Sequence, residues 1–285
     1  MLREGRSFYC FDEMNKISVL GCGWLGLPLA KRLLEQGYIV NGSVTSTEKH
    51  AILRKAGIRP FCLILEADNA EVDDPRFFDA ELVIVAIPPR RTEDVEIAFP
   101  DQIRQLILLL EQYHVPRVLF ISSTSVYPET GGIVLEEDYL VPEKASGRAL
   151  LEAERRLMQN NHFSTTVLRF GGLIGADRDP SRFLTRKKES LDGSKPVNLI
   201  HQDDCIQIID QLIRHKVWGG VFNACCPVHP TRKEFYEMAS TISGIAVPSF
   251  GEGTSSCKIV DSSKLISRID YHFKYPSPLD WLVHN

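Results

Sequence analysis

Lys16-Ile-Ser-Val-Leu-Gly-Cys-Gly-Trp-Leu-Gly26 decides how the chain is read. A short β-branched run meets a glycine cluster that leads directly into the apolar pattern Leu27 to Gln36, so the stretch predicts strand, tight turn and helix. Gly21, Gly23 and Gly26 have the G-x-G-x-x-G spacing. The first permits the sharp turn, the second lets backbone approach a pyrophosphate with no Cβ in the way, and the third lets helix pack on strand. Trp24 and Leu25 complete the loop. A phosphate there would meet backbone N–H groups at the positive end of the helix dipole. Glycines also mark turns for purely conformational reasons; it is the flanking strand and helix that point to a dinucleotide.

Gly37 ends this helix and Tyr38 to Thr45 reads as the second strand. Its end lies about 20 residues beyond the fingerprint, where an acidic residue would bind the ribose 2′-OH of NAD. None stands there. Thr45, Ser46 and Thr47, with Lys49, suit a 2′-phosphate instead, so NADP(H) is favoured, while Glu48 keeps NAD(H) open. The same hydroxyls can cap the next helix, His50 to Lys55, and the two roles are compatible.

Phe61 to Leu65 and Leu82 to Ile87 are aliphatic runs of the kind a parallel sheet buries on both faces. Glu66 and Asp68 between them are either adenine-edge contacts or solvated. Ile87 and Pro88 stand at the carboxyl end of the fourth strand, the edge where doubly wound sheets bind ligands, and Arg90 and Arg91 after them are read as facing water. A helix over Ile103 to Tyr113 presents Ile103, Leu106, Ile107 and Leu110 on one face, and Arg117 to Ile121 follows as the fifth strand. The alternation predicts an α/β fold: a Rossmann-type doubly wound parallel sheet.

Composition narrows the function. The chain has 285 residues, 44% hydrophobic and 25% charged, which fits one large α/β body with an added lobe and excludes a disordered or collagen-like chain. A net charge of -4 leaves no basic footprint for nucleic acid or anionic membrane. The seven cysteines are odd in number and form no C-x-x-C, so neither a disulfide framework nor a metal site is expected. No apolar run approaches the roughly 18 residues of a membrane span, and a reducing cytoplasm is the expected setting. Residues 1–13 precede Met14 and read as an extension, either disordered or ahead of the native start.

The fifth strand runs into Ser122-Ser-Thr-Ser-Val-Tyr127, and here the chain resembles the extended short-chain dehydrogenase/reductase family, the nucleotide-sugar epimerases and dehydratases. Three further stretches resemble that family in order: Val167-Leu-Arg-Phe-Gly-Gly-Leu-Ile-Gly175, Asn198-Leu-Ile-His-Gln-Asp-Asp204, and Gly219-Gly-Val-Phe-Asn223 with Thr231-Arg-Lys-Glu-Phe235. The resemblance implies a dinucleotide-binding domain over 14–172 and a smaller C-terminal α+β substrate lobe over 173–285, partly interleaved with it. It implies Ser123 as the catalytic hydroxyl, with Ser122 beside the cofactor and Thr124 as a neighbouring hydrogen-bond donor. Gly171, Gly172, Arg178 and His201 become candidate substrate residues, and a homodimer is expected by analogy.

The departures are as informative. The family's Pro-x-x-x-Tyr-x-x-Ser-Lys-x-x-x-Glu, laid over Pro142 to Glu154, puts Ser146 at the tyrosine and Leu150 at the lysine. A serine hydroxyl is too weak an acid to replace an activated phenol, and leucine can neither bind ribose nor shift a pKa. Tyr139 and Lys144 are separated by Pro142 and cannot share one helix face. Arg148 is read as solvated. Tyr127 is the phenol that can be tested as a substitute acid, against a structural role. Gly172 replaces an asparagine that many relatives use on a sugar nucleotide. A retained glycine fingerprint without Tyr and Lys resembles the atypical members of the family.

In the second lobe Arg178, Arg182, Arg186, Lys187 and Lys188 either receive an anionic ligand or form a solvated face. His201 precedes Asp203 and Asp204 at a helix start and reads as a hydrogen-bonded residue more than a base. Helices are expected over Ile206 to Ile213 and along Phe235, Met238, Ala239 and Ile242, and the proline-marked tail as loops and brief strands. Two functions follow: an NAD(P)-dependent oxidoreductase or epimerase on a small polar substrate, or an NAD(P)-binding sensor or interaction module without turnover. A 6-phosphogluconate or ketopantoate-type dehydrogenase would need an all-helical second domain, which the strand pattern Gly219 to Cys226 opposes.

Overall fold

The computed structural model describes residues 14–175, 178, 191–251 and 256–284, so the expected extension 1–13 and Arg182, Arg186, Lys187 and Lys188 lie outside the described residues. β1 (Lys16–Leu20) stands inside the principal sheet with both faces covered, which is why Ile17, Ser18, Val19 and Leu20 are all buried. The first half of the chain continues as α1 (Gly26–Glu35), β2 (Ile39–Val44), α2 (His50–Lys55), β3 (Arg59–Leu65), β4 (Ala70–Val72), β5 (Leu82–Val85), α3 (Val95–Gln112) and β6 (Arg117–Ser123). Then follow β7 (Gly132–Val134), α4 (Ala145–Met158), β8 (Ser164–Phe170), β9 (Gly172–Ile174), β10 (Leu191–Asp192) and β11 (Leu199–His201). The remainder is α5 (Gln202–Arg214), β12 (Gly220–Ala224), α6 (Arg232–Ser243), β13 (Phe250–Gly251), β14 (Lys258–Val260), α7 (Ser263–Ile269) and α8 (Pro278–Val283).

The principal sheet has the order β12-β8-β6-β5-β1-β2-β3-β4, parallel throughout except for the β3–β4 pair. From β1 the chain winds outward through β2 and β3, then crosses back to β5 and winds the other way. The switch point between β1 and β5 is where such sheets leave a crevice outside their carboxyl ends.

Three elements differ from expectation. The stretch holding Glu66 and Asp68 is the turn of an antiparallel hairpin: the Glu66 N–H donates to the Asn69 carbonyl at 2.8 Å and β4 returns along β3. α3 starts at Val95 and carries Pro100 inside it. An interior proline costs about 3 kcal/mol. Val95, Phe99, Ile103, Leu106 and Leu110 are all buried on that helix, each worth roughly 1.5–3 kcal/mol, and together they outweigh it. The tail forms α7 and α8 besides its short strands. Pro278 starts α8 at a helix position that needs no N–H, and Ser277 and Asp280 close a capping box around it.

Residues beyond 172 return to the main core. β12 completes the sheet beside β8, and Ile200, Ile208, Ile209 and Leu212 join Ile17, Val19, Leu29 and Leu33 in one apolar cluster. Arg32 of α1 pairs with the buried Asp210 of α5 at 3.0 Å. A smaller cluster of Ile174, Val197, Phe235, Ala239, Trp281 and Leu282 forms the lobe's own core. Ile242, expected on that face, is half exposed in the last turn of α6, which ends at Ser243. Among the described residues, no helix is long and apolar enough to cross a membrane.

Candidate functional site

The glycine turn is built by close approach. At Gly21, φ is +95° and an added Cβ would lie 2.8 Å from Ile87 Cγ2; at Gly26 it would lie 2.1 Å from the Gly21 carbonyl oxygen. At Gly23 it would meet nothing within 4 Å. Two glycines are thus required by packing, and the third faces open space. The Gly21 N–H donates to Ser43 Oγ at 3.0 Å and the Cys22 N–H to the Ser43 carbonyl at 2.8 Å, tying the turn to β2. Burial pushes the Cys22 thiol up to about 12, so it stays neutral. α1 has neither a side-chain cap nor an acid in its first turn, which leaves its positive end for a ligand.

This turn forms one wall of a cleft of about 610 Å³. Gly21, Gly23, Trp24, Leu25 and Gly26 line it together with Ile87 and Pro88 from the end of β5. Across it stand Ser122, Ser123 and Ser125 from the end of β6 and the turn after it, and Gly171 and Gly172 after β8. α4 presents Ser146 and Leu150, the positions where the resembled family has its tyrosine and lysine. Among the described residues lining the cleft there is neither a tyrosine nor a lysine. Gly147 allows α4 to lie this close, since a Cβ there would sit 2.3 Å from the Ser125 carbonyl oxygen.

Behind the serines is a buried polar network. Glu154 accepts from Ser122 Oγ at 2.5 Å and pairs with Arg169, whose Nη2 lies 2.6 Å from Oε2. Arg169 Nη1 donates to the Tyr127 hydroxyl at 2.6 Å, and that hydroxyl donates to Asn223 Oδ1 at 2.8 Å. Burial pushes the Tyr127 phenol up, with Arg169 beside it pulling partly the other way.

Across 272 residues the chain is 34% identical to the protein YeeZ of Escherichia coli K12, spanning 93% of this chain and 98% of YeeZ, and YeeZ of the O157:H7 strain matches equally. The chain belongs to the YeeZ family. No protein-family model matches it. Among solved structures, MoeE5 in complex with UDP-glucose and NAD superposes on the YeeZ-family chain with a TM-score of 0.77 at 18% identity, covering 94% of this chain and 96% of MoeE5. A candidate NAD-dependent epimerase/dehydratase from Methylobacillus flagellatus gives 0.72 at 25% identity, covering 94% and 96%. The YeeZ-family chain therefore shares the Rossmann-like fold of epimerase/dehydratase-type proteins.

Several candidate residues fall elsewhere. Thr45, Ser46 and Thr47 follow β2 on a largely exposed shelf beside the glycine turn, outside the enclosed part of the cleft. Thr124 is buried and lines a smaller neighbouring pocket that Ser123 also reaches. The Ser122 hydroxyl is taken by Glu154, and Ser123 Oγ accepts the Ser125 N–H at 3.1 Å while still lining the cleft. With its O–H given to Asn223, Tyr127 is a structural phenol in this arrangement.

His201 lines neither pocket. It is buried against the Tyr275 and Trp281 rings, its Nδ1 accepts the Asp203 N–H at 3.1 Å to start α5, and burial holds its pKa below the usual imidazole range. Arg178 does line the cleft, with its guanidinium 4.3 Å above the Trp24 ring. Gln202 Nε2 donates to the Trp24 carbonyl at 2.6 Å, so the second lobe grips the glycine loop twice.

Arg91 is exposed, as expected, at the border of the cleft. Arg148 corrects the solvated reading, making a two-point pair with Glu96 of α3 at 2.8 and 2.6 Å. The Glu154–Arg169 pair escaped sequence reasoning because its members sit on different elements, although Glu154 ends the family-like motif. Among the described residues no group of three or more His, Cys, Asp or Glu can hold a metal.

Proposed function

We propose that this YeeZ-family protein binds a nicotinamide dinucleotide in the cleft and oxidises or reduces a carbon–oxygen centre of a small polar substrate. The observation that carries this reading is Gly23: the one glycine of the turn with no packing need is the one whose side-chain space lies open beside the uncapped start of α1. Residues 21–26 would hold the pyrophosphate, and Arg178 and Arg91 add positive charge at the same cleft. When bound, the nicotinamide supplies or accepts a hydride. Ser123 is the hydroxyl that would hold the substrate oxygen. The exposed Thr45, Thr47 and Lys49 and the half-buried Ser46 favour NADP(H) over NAD(H), because they offer donors and a cation to a 2′-phosphate.

Calorimetric titration with NADPH, NADH, NADP and NAD, beside a Gly23→Asp variant, tests this. Micromolar binding of one redox pair and its loss in the variant are expected, since the added carboxylate fills the phosphate position with like charge. No binding of any of the four by the wild type would remove the reading.

A second reading, a dinucleotide-binding module without turnover, is favoured by the serine and leucine that α4 presents to the cleft. It predicts affinity that survives Ser123→Ala and no consumption of NADPH with any carbonyl compound.

A further inference from the structure

A second pocket, of about 360 Å³, shares Ser123, Ser125 and Gly172 with the cleft. Glu129, Glu143, Lys144, Arg232, Tyr236 and Lys258 are its titratable and charged side chains apart from Tyr127, already committed to Asn223. Lys258 is the most enclosed of its cations, with 12% of its side chain exposed. Its Nζ donates to the Tyr127 carbonyl at 2.5 Å and stands 3.6 Å from Glu129. The Tyr127 N–H bonds back to the Thr124 carbonyl at 3.2 Å, so the turn that anchors the ammonium is the turn that begins at Ser123. Asn198 fixes the other side: its Nδ2 donates to the Lys258 carbonyl at 2.9 Å and its Oδ1 accepts the Val260 N–H at 2.8 Å. The Asn198 carbonyl in turn accepts the Gly172 N–H at 2.7 Å, linking the strand of Lys258 to the glycine pair of the cleft.

We propose that Lys258 is the acid–base group of this site, giving a proton to, or taking it from, the substrate oxygen held by Ser123. This rests on the oxidoreductase reading above. It fills the role that Ser146 and Leu150 cannot. In the reducing direction the C=O π electrons move to oxygen as carbon receives the hydride, and that oxygen takes the Lys258 proton. The neutral amine regains a proton from solvent by way of the partly exposed Glu129. Burial makes the Lys258 ammonium release its proton more readily than an exposed lysine, with Lys144 acting in the same direction and Glu129 and Glu143 against it.

The test uses the full chain and two readouts. Competitive acetylation with acetic anhydride between pH 6 and 10, followed peptide by peptide in a mass spectrometer, is expected to show Lys258 titrating below an exposed reference lysine in a model peptide. Reduction of 9,10-phenanthrenequinone by NADPH is expected to fall about 100-fold or more in Lys258→Met. NADPH affinity should stay within threefold of wild type, which also shows that the variant is folded. Lys258→Arg should not rescue, because a guanidinium holds its proton at neutral pH.

Lys258 titrating with the reference lysine overturns the proposal. So does a wild-type rate in Lys258→Met, or the loss appearing in Tyr236→Phe instead. A wild type that binds no dinucleotide is a failure of the cofactor reading, seen separately by calorimetry.

Discussion

Arg169 and Glu154 hold the back of the site with almost no exposure to water, their side chains 7% and 2% accessible. A pair so placed adds little net stability over an apolar equivalent, yet removing one partner strands the other charge. Arg169→Met is therefore expected to lower unfolding free energy by about 3–5 kcal/mol, read as a shift in the urea midpoint. Arg169→Met combined with Glu154→Gln should recover part of that loss, since the stranded charge goes with it. At this scale the sequence was legible where a residue's task is local: Gly21 makes the turn and Gly26 the close packing that their spacing implies, and His201 caps α5 from its own position. It was not legible where the task is a partnership. Nothing in the neighbourhood of Ser122 signals that its hydroxyl is spent on Glu154, and nothing around Lys258 signals a turn more than a hundred residues earlier.

Among the elements, α4 depends on one missing side chain. Gly to Ala on an exposed helix gains about 1 kcal/mol from propensity alone. At Gly147 the added Cβ would sit 2.3 Å from a backbone oxygen and 2.9 Å from Pro142 Cβ, and backbone cannot yield as a flexible side chain can. Overpacking of about 1–3 kcal/mol should reverse the sign. Gly147→Ala is thus expected to lower the melting temperature, and to weaken dinucleotide binding by shifting Ser146 and Leu150. An unchanged or raised melting temperature would mean that α4 can slide on the turn. Elements with a regular apolar period were readable, and α2 matches its expected bounds. Proline misled in the tail, where Pro278 starts a helix and a breaker was read, while Pro100 lies inside α3 and is tolerated because that helix buries a long apolar stripe.

For the whole molecule, the decisive fact is that, among the described residues, the second lobe's own core is small. Val260, Leu265, Ile269 and Tyr271 are buried in the two large clusters on the opposite faces of the principal sheet. Scanning calorimetry should accordingly show one cooperative transition rather than two, and a second, separable transition would mean that the small Trp281 cluster folds by itself. The strand alternation foretold the sheet because neighbouring strands are joined by neighbouring segments. The pocket beside Ser123 needed β14, α6 and the 196–199 segment to arrive from the far end of the chain, and periodicity carries no record of such returns. The grip of Arg178 and Gln202 on Trp24 has one more consequence. Of three tryptophans, Trp281 is buried in the small core and Trp218 lies beneath Arg117, whereas Trp24 sits in the glycine loop itself. Its fluorescence is a built-in optical probe of that loop, sensitive to whatever displaces the guanidinium stacked above it, and Trp24→Phe supplies the dark control.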